Sequence, residues 1–354
     1  MTTTQRATLP RLCFVGPMVG FNPGQVVTQG VRLSGHFRGA GYSALAVSAS
    51  TNRYVRLLDI VATLIRRRRQ IDILIVHVYG GPSFVVEDIA SRLGRMFGVR
   101  IIMLLHGGAF PEFMGRFPRW ARRVLRRADL LVAPSPFLAR AVGRFGFACR
   151  VIPNVIDLPA YPYRRRTVLC PRLFWMRTFD PDYNPLMAIE VLSGIRASFP
   201  DATLVMGGQD KGMLADVRRR AKELGIEGAV RFPGFLDMAA KAREGSAADV
   251  FINTNRVDNM PVAVVEACAM GIPVVTTSVG GVPDLISDGR TGLLVPDGDA
   301  GAMVAAVERL LGDPGLAATL SDNGRRLAER SAWDSVRLEW ESIFAGLRPR
   351  PTSS

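Results

Sequence analysis

Short apolar runs and helical stretches alternate along this chain, and that alternation leaves few folds open. In the first half the runs are Leu12–Val15, residues 43–48 and 71–79, Arg100–Leu105, Leu130–Ala133 and residues 150–152. In the second half they are residues 173–177, 202–205, 230–235, 249–254 and 274–275. Strands this apolar with helices between them predict a parallel, doubly wound α/β sheet covered on both faces. With 354 residues, the chain exceeds one core and predicts two domains of about 170 residues each. Pro159, Pro162 and Arg164 to Arg166 read as an extended, polar linker, which divides the chain into residues 1–163 and 164–330. Residues 331–354 form a last helical stretch, with Trp333 and Trp340, and a frayed tail from Arg348.

Charge is unevenly placed. The chain carries 45 basic and 31 acidic residues, a net of +14. Up to Cys170 there are 25 arginines, no lysine and 7 acids, a balance of +18, which leaves −4 for the remainder. Such asymmetry points to a polyanionic or membrane partner for the first half. Arg119, Arg122, Arg123, Arg126 and Arg127 follow helical spacing on one face, and Trp120, Val124 and Leu125 take the other. A membrane-facing helix with Trp120 and nearby phenylalanines as anchors is one reading, and a solvated basic face is the other. Cys13, Cys149, Cys170 and Cys268 are scattered, which suggests a reducing cytosol and neither a disulfide framework nor a zinc site. Arg6 and Arg11 before an apolar run imitate a signal peptide, but Gly16-Pro17 ends the run at once. No stretch approaches the roughly 18 apolar residues of a membrane span.

The candidate chemistry centres on Asp258-Asn259-Met260-Pro261-Val262-Ala263-Val264-Val265-Glu266. Pro261 suits the start of a helix that Gly271 and Pro273 end. The first-turn amides, including those of Val262 and Ala263, suit an anion such as a nucleotide diphosphate. Asp258 before the helix and Glu266 inside it are two carboxylates able to accept paired hydroxyl hydrogen bonds from a sugar diol. A carboxylate among Val264, Val265, Ala267 and Cys268 needs a partner. His106 directly follows a strand, where ligands bind in doubly wound sheets. His36 and His77 read as structural. The loop holding Gly20 and Gly24, opening a helix near Gln25, is a possible phosphate or sugar loop. Asp180-Pro181-Asp182 reads as turn chemistry rather than a metal site.

The stretch from Asp258 to Glu266, with Gly280-Gly281-Val282-Pro283-Asp284 and Thr291-Gly292-Leu293-Leu294-Val295-Pro296, resembles the paired-acid signature of the retaining glycosyltransferases of family 4. That resemblance implies the GT-B fold, two Rossmann-like domains facing across a cleft, with the last helix crossing back to the first. It implies a retaining, metal-independent transfer without a cofactor, from a UDP-, GDP- or ADP-sugar to a glycan or lipid-linked acceptor. The scattered cysteines and the segregated charge, rather than the resemblance, place the protein in the cytoplasm, peripherally at a membrane, with anionic lipid and no nucleic acid as partner. Asp258, which stands where the family usually has Glu, and His106 would be catalytic. Glu266, Arg177, Asn259, Met260, Pro261 and Val262 would bind the donor. The family's lysine, some six residues after the arginine, is replaced here by Tyr183-Asn184, and Lys211 is a candidate substitute. A nucleotide-sugar epimerase on the same architecture is the alternative enzyme, and a basic nucleic-acid-binding protein is the alternative of another class.

Overall fold

The structure is a computed structural model that describes residues 9–20, 27–108 and 110–347. Gly24, the Gln25 helix start, Arg6 and the tail from Arg348 fall outside the described residues. The chain divides into two compact units, residues 1–155 with 337–354, and residues 156–336.

In the first unit the strands are β1 (Leu12–Val15), β2 (Ala44–Val47), β3 (Ile73–Val78), β4 (Arg100–Leu105), β5 (Leu130–Ala133) and β6 (Arg150–Val151). They pair in parallel in the order β2-β1-β3-β4-β5-β6. The order reverses between β1 and β3, a topological switch point at whose carboxyl edge ligands bind in such sheets. All six residues of β3 are buried, as a central parallel strand covered on both faces requires. Leu74, Val76 and Val78 face a layer that includes Phe84, Phe110 and Val124. Trp340 and Phe344, from the helix Trp333–Gly346, pack on Phe37 with ring centroids 6.4 and 5.4 Å away. Large apolar side chains contribute about 1.5–3 kcal/mol each when fully buried, enough to hold residues 337–347 on this unit.

The second unit has β7 (Arg172–Met176), β8 (Thr203–Gly207), β9 (Val230–Gly234), β10 (Val250–Asn253), β11 (Val274–Thr277) and β12 (Leu293–Val295). Its parallel order is β12-β11-β10-β7-β8-β9. Here the reversal lies between β7 and β10, so the loops after Met176 and Asn253 emerge side by side. Both units are thus doubly wound parallel sheets, the architecture read from the apolar runs.

The stretch read as a linker is part of the second unit rather than a solvated tether. The division falls at Val155/Ile156, while Tyr161 is 2% and Arg166 1% exposed. Arg166 donates to the carbonyls of Ala248, Met270, Gly245 and Arg164 at 2.5–3.0 Å. Its guanidinium caps backbone that no strand or helix satisfies, which outweighs the polar composition of the stretch. Burial lowers its pKa to about 10.

Candidate active site

At the switch point of the second unit, Arg177 follows β7 and Asn255 and Asp258 follow β10. The Arg177 Nη2 donates to Asp258 Oδ2, and Asn255 Nδ2 donates to the same oxygen at 2.5 Å. Asp258 Oδ1 accepts from the Asn259 amide at 2.8 Å. A carboxylate offers about four lone-pair sites, so three protein donors leave room for one more hydrogen bond, from a ligand hydroxyl. Arg177 also lies over the Tyr183 ring, 4.7 Å from its centroid. Burial lowers its pKa, against the raising fields of Tyr183 and Glu266. Among the described residues its Nε is buried without a hydrogen-bond partner, a charged donor that an anionic oxygen would satisfy.

Two glycines let this cluster form. Gly280, at φ +52°, lies so close to Asp258 that a Cβ there would stand 2.0 Å from the Asp258 carbonyl oxygen. The next residue, Gly281, donates its amide to that oxygen at 3.0 Å. A Cβ on Gly208 would stand 1.7 Å from the Arg177 carbonyl oxygen. Backbone approaches of this kind exclude any side chain.

Asn259 and Met260 are buried in the loop that leads to the helix Val262–Ala269, and Pro261 occupies its N-cap. The first intrahelical bond runs from Val264 N to the Pro261 carbonyl at 3.0 Å, so the amides of Val262 and Ala263 precede it. Glu266, 1% exposed on this helix, finds its partners within the protein. Lys241 Nζ stands 2.8 Å from Oε2 and 3.0 Å from Oε1, and Tyr161 Oη donates to Oε1 at 2.7 Å. The need for a partner therefore does not by itself point to a sugar diol.

In the first unit His106 follows β4. Its Nε2 lies 2.8 Å from Nδ1 of His77 on β3, and its ring stacks on Tyr79 with centroids 4.8 Å apart. Burial pushes His106 down to about 4. Burial, with His106 adding to it, holds His77 well below the ordinary histidine value. Both rings are therefore neutral at pH 7. His106 borders a cavity of about 840 Å³ whose walls include Tyr79, Phe110, Phe113, Phe117 and Trp120, with Glu112 and Arg116 among its charged groups.

Residues 31–159 match the model of Glycosyltransferase Family 4, and residues 171–327 that of Glycosyl transferases group 1. A GDP-mannose-dependent alpha-(1-6)-phosphatidylinositol monomannoside mannosyltransferase of Mycolicibacterium smegmatis is 33% identical over 289 residues, 75% of this chain and 75% of that protein. The chain belongs to the family 4 glycosyltransferases. A D-inositol 3-phosphate glycosyltransferase of Streptomyces bingchenggensis is 31% identical over 261 residues, 73% of this chain. The match spans about half of that relative, 51% of its length. Anabaena Alr3699/HepE, solved with UDP and glucose, aligns with a TM-score of 0.77 at 19% identity, covering 96% of this chain and all of that one. At that identity the likeness carries the fold, GT-B.

The fold does not bring all the expected residues together. Lys211 stands exposed in the loop after β8, and among the described residues no hydrogen bond or ion pair ties it to Arg177 or Asp258. Gly20, at φ +119°, ends the described part of its loop, and the next helix in the described residues is Gln29–Gly39. Asp180 caps the turn Pro181–Tyr183 by accepting the Asp182 amide at 3.1 Å.

The proposed membrane-facing segment, the helix Pro118–Leu125 and the turn after it, needs correction at Trp120 and Arg127. Arg119, Arg122, Arg123 and Arg126 are exposed. Trp120 instead packs edge-on to Phe84 and donates Nε1 to Asp88 Oδ2 at 2.7 Å. Arg127 turns inward too, 2.6 Å from Asp88 Oδ1 and 17% exposed. A half-buried indole N–H needs an acceptor, and Asp88 supplies it. Burial pulls Asp88 upward, but hydrogen bonds from Arg127, Trp120 and Arg92 outweigh it and hold the carboxyl below its ordinary range.

The sequence reading missed Lys241, Tyr161 and Asn255, and it took His77 as structural. A faint signal existed for Lys241, since this chain has only three lysines, Lys211, Lys222 and Lys241, among 45 basic residues.

Proposed function

We propose that this protein transfers a sugar from a nucleoside diphosphate sugar to an acceptor hydroxyl, with retention at the anomeric carbon and without a metal. The observation that carries the reading is the buried Arg177, whose unpartnered Nε sits in one cluster with Asp258, ahead of the helix Val262–Ala269. Arg177 and the amides of Val262 and Ala263 bind the leaving diphosphate, whose charge grows as the glycosidic bond breaks. Asp258 accepts a hydroxyl of the donor sugar through its remaining lone pair. Glu266, ion-paired with Lys241, takes the ribose hydroxyls. Asn259, Met260 and Pro261 shape the loop around the donor.

The first unit takes the acceptor. The aromatic cavity beside His106 suits an acceptor with an apolar part, such as a lipid-linked glycan, and the exposed Arg119, Arg122, Arg123 and Arg126 suit an anionic membrane surface. The protein then works peripherally on the cytoplasmic face. Among the described residues no helix is long and apolar enough to cross a membrane.

The test is turnover of UDP-, GDP- and ADP-sugars with excess EDTA, followed by proton NMR of the anomeric centre. The expected result is nucleoside diphosphate release that survives EDTA, with the product keeping the donor's anomeric configuration. Inversion, or loss of activity in EDTA that magnesium restores, contradicts the reading.

A further inference from the structure

His77 lies on the central strand of the first sheet, 2% exposed, where an aliphatic side chain would serve packing better. The register pairs His77 with Leu104 on β4, and side chains two apart on a strand share a face, so His106 emerges on the same face as His77. The planes of the two rings are parallel to within 4°, and Nδ1 of His77 and Nε2 of His106 are 2.8 Å apart. A neutral imidazole has one N–H and one bare nitrogen, so one ring donates across this contact and the other accepts.

The remaining nitrogen of His77 decides which. Among the described residues, His77 Nε2 is buried without a hydrogen-bond partner. A proton there would be an orphaned buried donor, while the acceptor it needs lies at the other nitrogen. Placing the proton on Nδ1 puts the one donor of His77 against His106 Nε2. His106, neutral, then carries its own proton on Nδ1, and the hydrogen-bonding capacity it has left is that single N–H.

We propose that His77 is a positioning residue: it fixes His106 as the Nδ1–H tautomer, so that His106 meets a substrate oxygen as a neutral hydrogen-bond donor and not as a base. The functional half rests on the reading that His106 contacts the sugar or acceptor. The tautomer itself does not.

With three histidines in the whole chain, His36, His77 and His106, imidazole nitrogen NMR of the histidine-labelled protein can assign every ring. The expected spectrum shows His106 protonated at Nδ1 and bare at Nε2. His77→Asn places an amide N–H near the position of Nδ1 and keeps that pattern. His77→Leu removes the donor, and His106 moves to the Nε2–H form. Turnover should follow the tautomer, falling about tenfold in His77→Leu with the donor KM unchanged and staying within about twofold of wild type in His77→Asn. An Nε2-protonated His106 in the wild type overturns the proposal without any variant having to fold. A folded His77→Leu that changes the tautomer yet keeps full turnover overturns its functional half. If His106→Ala also turns over at the wild-type rate, the failure lies in placing His106 at the substrate, and the tautomer assignment stands on the spectrum.

Discussion

Replacing Lys241 by Met tests how Glu266 is held. Methionine keeps the length and apolar stem of the lysine but removes the cation 2.8 Å from a carboxylate that is itself 1% exposed. Removing one partner of a buried ion pair costs about 3–5 kcal/mol. The Lys241 side chain is 19% exposed, so water reaches one side of the site and the lower end of that range, about 3 kcal/mol, applies. The second unit spans residues 156–336, a size at which each kcal/mol moves the melting temperature by about 2–4 °C, giving a fall of about 6–12 °C. Scanning calorimetry at pH 7 should show that fall in Lys241→Met. Adding Glu266→Gln should recover much of it, because the amide keeps an acceptor for Tyr161 and removes the stranded charge. A single variant melting within about 2 °C of wild type, or a double variant no more stable than the single, would refute the argument.

Burial raises Glu87 from 4.5 to about 8. Between those values the folded protein binds a proton that the unfolded chain has released, so this group makes stability fall as pH rises through that window. Glu87→Gln should flatten the fall, melting above wild type at pH 8 and close to it at pH 4.5; melting curves that stay parallel across the window count against it. Arg119→Glu with Arg123→Glu and Arg126→Glu should abolish salt-sensitive sedimentation with anionic vesicles, each arginine contributing about 1 kcal/mol near such a surface. Wild type that ignores anionic vesicles removes this face from the account. Gly280→Ala, whose Cβ would collide with the Asp258 carbonyl at a positive φ, should weaken nucleotide-sugar binding about tenfold or more by calorimetry, and unchanged affinity would show that the Asp258 loop does not hold the donor.

Legibility in the sequence followed the range of the interactions. Strands such as β4 and β5 were readable because an apolar run between helices has few alternatives. The loop and helix that carry Asp258 and Glu266 were readable because they lie within one stretch of sequence. Helical spacing had also set Trp120 with Val124 and Leu125 on the inward face, and the fold keeps it there, against its use as a membrane anchor. The residues that escaped are joined across long sequence gaps. Lys241 meets Glu266 across 25 positions, His77 meets His106 across 29, and Tyr161 meets Glu266 across 105. Sheet order and register create those contacts, and a one-dimensional pattern does not carry them. The buried Tyr161 and Arg166 escaped for a related reason, since prolines and arginines describe a linker equally well when the carbonyls they serve are invisible.

The central claim is that the second unit binds a nucleoside diphosphate sugar through Arg177 and its neighbours. Thermal-shift melts of the wild type and of Arg177→Met against UDP-, GDP- and ADP-sugars test it most directly. A ligand at a hundredfold its dissociation constant adds about 2.7 kcal/mol, or roughly 5–11 °C for a unit of this size. One nucleotide class should raise the wild-type melting temperature by that amount at saturation, and Arg177→Met should lose most of the shift. No shift with any of the three classes, or an equal shift in the variant, would contradict the claim.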